Sequence, residues 1–375
     1  MKQLKISFLS ILGISMLMGC GGSKAEKGDY EFKLGTGINL SHWLSQSPDF
    51  KTKRATQISK KDIDSIAAMG FDHIRIPIDE VQFYDESDAL KRDDEAFRLL
   101  KQAIDWALED GMNVVVDLHI IRSHHFNNEN SIANNLFENV DAQKRHIRIW
   151  KDLQSSLKDY PNDRVAYELL NEAVAPTPEN LNDLEAKLIA SIREVEPYRS
   201  IVVGSNMQQS VYTVKYLKVP ANDKHLIISF HYYNPILLTH YGAPWTRAKD
   251  LATYKPKLTY PGLLLQDTAF YKNLDENIVE YLRSRNEEWN VERIENDMMD
   301  AVRLCDSLGL QAYCGEYGAY PVFVDHEVML KWYRDISSVF RKHHIANAHW
   351  CYKGDFPVVD ENGNPNEIAK IILNK

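Results

Sequence analysis

Cysteine is scarce in this sequence: four residues in 375, none in a CxxC or CxxH spacing. A cysteine-rich zinc centre is thereby disfavoured. Beyond Cys20 there are only Cys305, Cys314 and Cys351, an odd number, so at least one thiol stays free. Cys314 and Cys351 fall on neighbouring predicted strands and could approach one another, but buried free thiols are the expectation. Basic clusters are missing as well. The formal net charge is −9, and dispersed Lys and Arg do not make the phosphate-binding patches that nucleic acids require. No nucleic-acid partner is expected, whereas a neutral polymer needs no counter-charge. Continuous apolar runs are also short, since residues 6–18 fall below the ~20 residues a bilayer-spanning helix needs.

What the start of the chain does contain is a targeting pattern. Lys2 and Lys5 precede the apolar run, and Leu17-Met18-Gly19-Cys20 is followed by the polar residues Gly21, Gly22 and Ser23. The four-residue pattern resembles a bacterial lipobox, in which the chain is cleaved before a cysteine that is then lipidated. The expected organisation is a signal peptide over 1–19, lipidated Cys20 with a tether over 20–33, and one domain over 34–375. Such a chain is exported and held by its lipid to a bacterial membrane, on the periplasmic side or at the cell surface. A plain signal peptide with an incidental cysteine is the bland alternative.

Past the tether, short β-branched runs alternate with long amphipathic stretches. Candidate strands are 36–40, 73–77, 113–119, 165–171, 201–204, 226–231, 311–316 and 347–351. Helical periodicity covers 94–110, 142–158, 178–196, 286–308 and 326–342. Gly70 and Gly111 each follow a helix and precede a strand, where a C-cap is expected. Eight such units predict the α/β class and a (β/α)8 TIM barrel, although a doubly wound sheet shares the alternation. The barrel puts chemistry at the carboxyl ends of the strands. Six runs close there on groups that bind or move protons: Arg75, His119, Asn171 with Glu172, His231, Glu316 and Trp350. The longest connection, 232–276, reads as a structureless insert whose Tyr241, Trp245, Tyr254 and Tyr260 could wall a sugar-binding cleft. Ordinary loop packing explains any single one of them equally well.

Two of these strand ends carry acids. Tyr167-Glu168-Leu169-Leu170-Asn171-Glu172 is an apolar run ending in an amide and a carboxyl, and Gly315-Glu316-Tyr317-Gly318 sets an acid between glycines that allow close approach. Cleavage of a glycosidic bond with retention needs one ionised and one protonated carboxyl about 5–5.5 Å apart, and strands four and seven can face one another across a barrel mouth. Alone, either glutamate is more often a solvated or ion-paired group; the pairing gives them chemical meaning.

The chain resembles glycoside hydrolase family 5, the cellulase-like retaining enzymes of the larger (β/α)8 clan. The resemblance runs from about Leu34 onward, through Gly37-Ile38-Asn39-Leu40, Phe71-Asp72-His73-Ile74-Arg75-Ile76-Pro77, Asp117-Leu118-His119, Leu169-Leu170-Asn171-Glu172, Phe230-His231-Tyr232-Tyr233, Gly315-Glu316 and His349-Trp350. The stretch Thr239-His240-Tyr241-Gly242-Ala243-Pro244-Trp245 also resembles family endoglucanases. Each motif is weak singly; together, in this order, they are specific. The resemblance implies Glu172 as acid/base and Glu316 as nucleophile, with Arg75 keeping Glu316 ionised and Tyr233 donating to it. It places His231 near Glu172, gives His119 and Asn171 the hydroxyls of the cleaved sugar, and makes Trp350 the floor beneath it. All eight positions carry the expected residue types. Departures fall in the loops, where His42 and Trp43 after strand one, and His124 and His125 within 122–128, are further candidate substrate contacts.

This reading needs no metal and no cofactor, and it expects a β-glycan substrate and a monomer. Endo-β-1,4-glucanase leads; mannan, xyloglucan, β-1,3-glucan, exo-acting or arabinosidase-type specificity stay open. Two rivals come from other classes. A metal-dependent barrel hydrolase would use Asp117, His119, His231 and a carboxylate, but the His-x-His such enzymes usually carry early is absent, strand one reading Asn39-Leu40-Ser41-His42. A non-catalytic glycan-binding lipoprotein predicts loss of one carboxylate, and both are there.

Overall fold

The structure is a computed structural model that describes residues 32–375 apart from 48, 88, 128–133, 248 and 250. The expected signal peptide and Cys20 lie outside the described residues, as does Asn128 of the 122–128 loop.

Eight parallel strands close into a barrel: β1 (Thr36–Asn39), β2 (His73–Asp79), β3 (Asn113–Ile120), β4 (Val165–Glu168), β5 (Ile201–Gly204), β6 (Leu226–His231), β9 (Gln311–Tyr317) and β10 (Ala346–His349). The two remaining strands, β7 (Gly262–Leu263) and β8 (Glu288–Trp289), form a small antiparallel ribbon outside it. β2 is buried along its whole length because helices cover one face and the barrel interior the other. The helix Asp94–Glu109 shows how the outer layer is specified. Asp93 caps it by accepting from the Ala96 N–H, and it turns Phe97, Leu100, Ala103, Ile104 and Ala107 inward.

Strand alternation builds the interior in layers. Val115, Ala166, Val202, Ile227, Tyr313 and Ala348 pack into an apolar cluster with Phe32 and Leu34. Two residues further along each strand, the same inward parity gives Asp117, Glu168 and Ser229, and then His119 and His231. The apolar cluster thus supports a charged layer beneath the mouth.

Several boundaries differ from those the sequence suggested. β4 stops at Glu168 rather than Asn171, and β10 stops at His349, so Asn171, Glu172 and Trp350 stand on the turns leaving the strands. The 286–308 helix starts only at Val291, where the Asn290 side chain caps it at the Arg293 N–H; β8 takes Glu288–Trp289 and a separate helix, Glu276–Arg285, precedes them. The 232–276 insert is not structureless: it holds short helices at Ile236–Thr239 and Leu251–Tyr254 as well as β7. Cys305, Cys314 and Cys351 are free and buried. Among the described residues, no helix is long and apolar enough to cross a membrane.

Candidate active site

At the carboxyl ends of the strands a cleft of about 720 Å³ is lined by Glu172, His231, Tyr233, Glu316, Trp350 and residues of the surrounding loops. β6 and β9 are neighbours, and a register shift after Phe230 sets His231 opposite Glu316. His231 Nδ1 lies 3.0 Å from Glu172 Oε1 and 3.6 Å from Glu316 Oε2. Oxygens of the two glutamates and this nitrogen all fall within 4.8 Å of one another. That separation matches the short gap of retaining glycosidases and leaves no room for the water that inverting enzymes hold between their acids.

Each glutamate has its own surroundings. Arg75, fully buried, donates from Nη1 to Glu316 Oε1 at 2.6 Å, while the Tyr233 hydroxyl donates to Glu316 Oε2 at 3.0 Å. The same guanidinium holds Glu168 through two bonds of 2.6 and 3.0 Å, Asp117 at 2.9 Å, and the side-chain oxygens of Asn39 and Asn171. One cation therefore serves three buried acids. The shortage shows in the acids: burial pushes Asp117 up to about 7 and raises Glu168. Burial also raises Glu316, and Arg75 pulls against it. Glu172 is driven furthest, well above the ordinary range, by burial first and by the negative charge of Glu316 second. Glu172 is thus the better placed of the two to hold a proton and Glu316, beside Arg75, the better placed to give one up, the inequality that double displacement uses.

The histidines stay neutral here. Burial takes His231 well below its usual value and His119 down to about 3. His231 can then donate from Nδ1 to Glu172 without adding charge. His119 is tied from Nδ1 to Asp117 at 2.6 Å, which fixes Nε2 as an acceptor. That Nε2 takes the Gln46 amide at 2.8 Å and faces Asn171 Nδ2 at 3.5 Å. His119 also lies flat against Trp350, with ring centres 5.6 Å apart. His119 and Asn171, expected at the sugar's hydroxyls, are fully buried and do not line the cleft; Gln46 is the polar group of this set that does.

The loop candidates separate. His42 lines the cleft, 3.1 Å from Asp355 Oδ2, and Trp245 stands 46 % exposed on its wall. Trp43 is a correction: it is buried in the core with its indole N–H bonded to the Arg54 carbonyl, because His42 at φ 55° turns the chain inward. His124 is also redirected. It is buried between Asn134 and the Glu172 carbonyl, so it buttresses the acid's backbone instead of facing sugar. His125 stacks on Phe126, and that phenylalanine, not the histidine, lines the cleft. Tyr241 and Tyr260 are buried and Tyr254 bonds the Asn273 carbonyl, so of those four candidate wall aromatics Trp245 is the one that lines the cleft. The rival metal set does not assemble, since Asp117 and His119 are committed to Arg75, Gln46 and one another. Sequence reasoning gave no role to Asn39, Gln46, Met207, Gln209 or Asp355. Asn39 and Gln46 stand on or just after β1, where polar residues after a buried strand were the available signal.

The family model for cellulase (glycosyl hydrolase family 5) matches residues 33–355. Endoglucanase C of Acetivibrio thermocellus is 30% identical over 345 residues, covering 90% of this chain and 98% of that protein. Cellodextrinase A of Ruminococcus flavefaciens is 28% identical over 314 residues, 83% of each chain. A crystallised hyperthermophilic endo-beta-1,4-glucanase in complex with substrate shares the fold, with a TM-score of 0.72 at 24% identity over 92% of this chain and 98% of that one. The chain is a glycoside hydrolase and belongs to the cellulase family, glycosyl hydrolase family 5.

Proposed function

We propose that the enzyme cuts β-1,4-glucan chains internally, as a monomer, with retained configuration. The observation that carries this is the glutamate pair around His231, one acid held by Arg75 and Tyr233 and the other beside a neutral imidazole, in an open cleft. Glu316 attacks the anomeric carbon as Glu172 gives its proton to the departing oxygen; the bond between sugar and leaving chain breaks as the glycosyl–enzyme bond forms. Glu172, now a base, takes a proton from water, which releases the sugar and restores Glu316. Internal cutting is supported by the lining residues. Gln46 after β1, Met207, Gln208 and Tyr212 after β5, and Trp350 and Asp355 after β10 all line the open cleft together with the two glutamates, which supports binding of sugar units on both sides of the scissile bond. The resemblance to endoglucanases supports glucan over mannan. A polysaccharide panel with product sizing tests it. Conversion of long glucan chains to mid-length oligomers is expected; release of monomer alone, or cleavage of mannan but not glucan, overturns it.

We infer also that the enzyme works outside the cytoplasm on a lipid anchor at Cys20. The Leu17-Met18-Gly19-Cys20 pattern after a charged and then apolar start supports this. Labelled palmitate is expected in the full chain and lost in Cys20→Ser; equal labelling of both overturns it.

A further inference from the structure

The turn after β5 carries a conformation that L-residues rarely adopt, three times in succession: Met207, Gln208 and Gln209 have φ of 55°, 61° and 51°. It is laced to the turn that carries the acid/base. The Asn206 side chain accepts from the Ala175 N–H at 2.8 Å and donates to the Ala175 carbonyl at 3.0 Å, and the Gln208 N–H reaches the Ala173 carbonyl at 3.0 Å. The left-handed run brings the Gln209 side chain inward, where it is fully buried. Gly204 leaves the space for it, since a Cβ there would lie 2.5 Å from Gln209 Cγ.

Both ends of this amide are used. Gln209 Oε1 accepts from the Glu172 N–H at 2.7 Å, and Gln209 Nε2 donates to Glu168 Oε1 at 3.2 Å and to Ser229 Oγ at 2.9 Å. Glu168 is one of the acids chelated by Arg75, which in turn holds Glu316. A continuous path of buried hydrogen bonds therefore runs from the backbone of the acid/base to the cation of the nucleophile. Glu172 itself sits at φ 45°, so its backbone needs an outside hold. A neutral amide can accept at one end and donate at the other without adding charge to a layer already short of cations.

We propose that Gln209 is a positioning residue for the hydrolysis, tying the backbone of Glu172 to the Arg75–Glu316 cluster and so holding the two carboxyl groups in register. This rests on the two-glutamate reading above. Gln209→Met keeps length and removes both polar ends. On a cello-oligosaccharide, its kcat should fall about 10–100-fold, as a displaced catalytic group does, with KM changed by less than about threefold. On 2,4-dinitrophenyl cellobioside with azide the loss should largely vanish, because neither departure of the phenolate nor attack by azide needs the proton that Glu172 handles. A loss of folding alone would not be repaired by azide. In Gln209→Glu the new carboxyl can accept from the Glu172 N–H while donating to Glu168 only when protonated, so its rate optimum should move to lower pH. Equal losses on both substrates without an azide gain, wild-type kinetics in Gln209→Met, or an unmoved optimum in Gln209→Glu overturns the proposal. Carbon-13 NMR titration of the glutamates needs no substrate. The high and low carboxyl titrations of the wild type should draw together in Gln209→Met, and an unchanged gap also overturns it. A wild type that cleaves no glucan would sink the glucan reading while the titration still decides Gln209.

Discussion

The two sides of the cleft hold chemically identical side chains in opposite ways. On the β9 side, Glu316 is gripped by a full positive charge and a phenol, both donors to its ionised form. On the β4 side, Glu172 meets a neutral imidazole at its carboxyl and a neutral amide at its backbone, with the nearest full charge being that of the other acid. Burial alone would raise both. On the proposed mechanism, the cation decides which one yields its proton first, and so which one attacks and which one donates.

The largest break in this asymmetry comes from the acids themselves. Glu316→Gln should lower turnover on the order of 10⁴-fold or more, as loss of a covalent nucleophile does. Glu172→Ala should cost about 10²–10⁴-fold on natural glucan, yet recover on a dinitrophenyl glycoside with azide, whereas Glu316→Gln should not. Swapped rescue patterns would reverse the assignment. Arg75→Lys comes next. A lysine cannot bond Glu316, Glu168 and Asp117 together, so the Glu316 carboxyl should titrate higher by about one pH unit. Activity is lost on the acid side as Glu316 takes a proton and on the alkaline side as Glu172 loses one. The acid limb of kcat/KM should therefore move up and the bell narrow; an unmoved acid limb would show that Arg75 does not set the nucleophile. Trp245→Ala, at the exposed wall, should weaken KM a few-fold by losing a stacking face while leaving both limbs in place.

The barrel was legible because β-branched runs buried on both faces have few other homes, and strand ends such as Glu172 and Glu316 announce themselves by putting an acid after an apolar run. What escaped was what turns decide. Trp43 looked like a cleft residue until the left-handed His42 sent it to the core. Tyr241 and Tyr260 read as wall aromatics, but the insert folds on its own short helices and ribbon and consumes them as packing. Gln209 left no trace, since three non-glycine residues in the left-handed region carry no pattern that periodicity can find. His119 was read as a contact for the sugar's hydroxyls, but its Nε2 is taken by Gln46, a contact between residues 73 apart in the chain.

The smallest expected effect isolates burial from charge. Glu185, on the helix Pro178–Arg193, is more fully buried than Glu172, and among the described residues no cation pairs with it; one of its oxygens has no partner there and the Gly204 N–H serves the carboxyl. Burial raises it well above the ordinary carboxylate value, and no second acid contributes. The folded protein binds a proton there that the unfolded chain gives up at lower pH. The stability tied to this proton is therefore present below the unfolded carboxyl value and is lost as pH rises through the folded one, at about 1.4 kcal/mol for each pH unit by which the group is displaced. Glu185→Gln keeps the shape and removes the titration. Its melting temperature by calorimetry should match the wild type near pH 5 and exceed it near pH 9, with kcat and both limbs of the rate profile unchanged. Parallel melting curves across that range would mean that water or a neighbour solvates Glu185. Burial without a cation would then no longer suffice to hold a proton on Glu172 either, and the repulsion from Glu316 would have to carry that role alone.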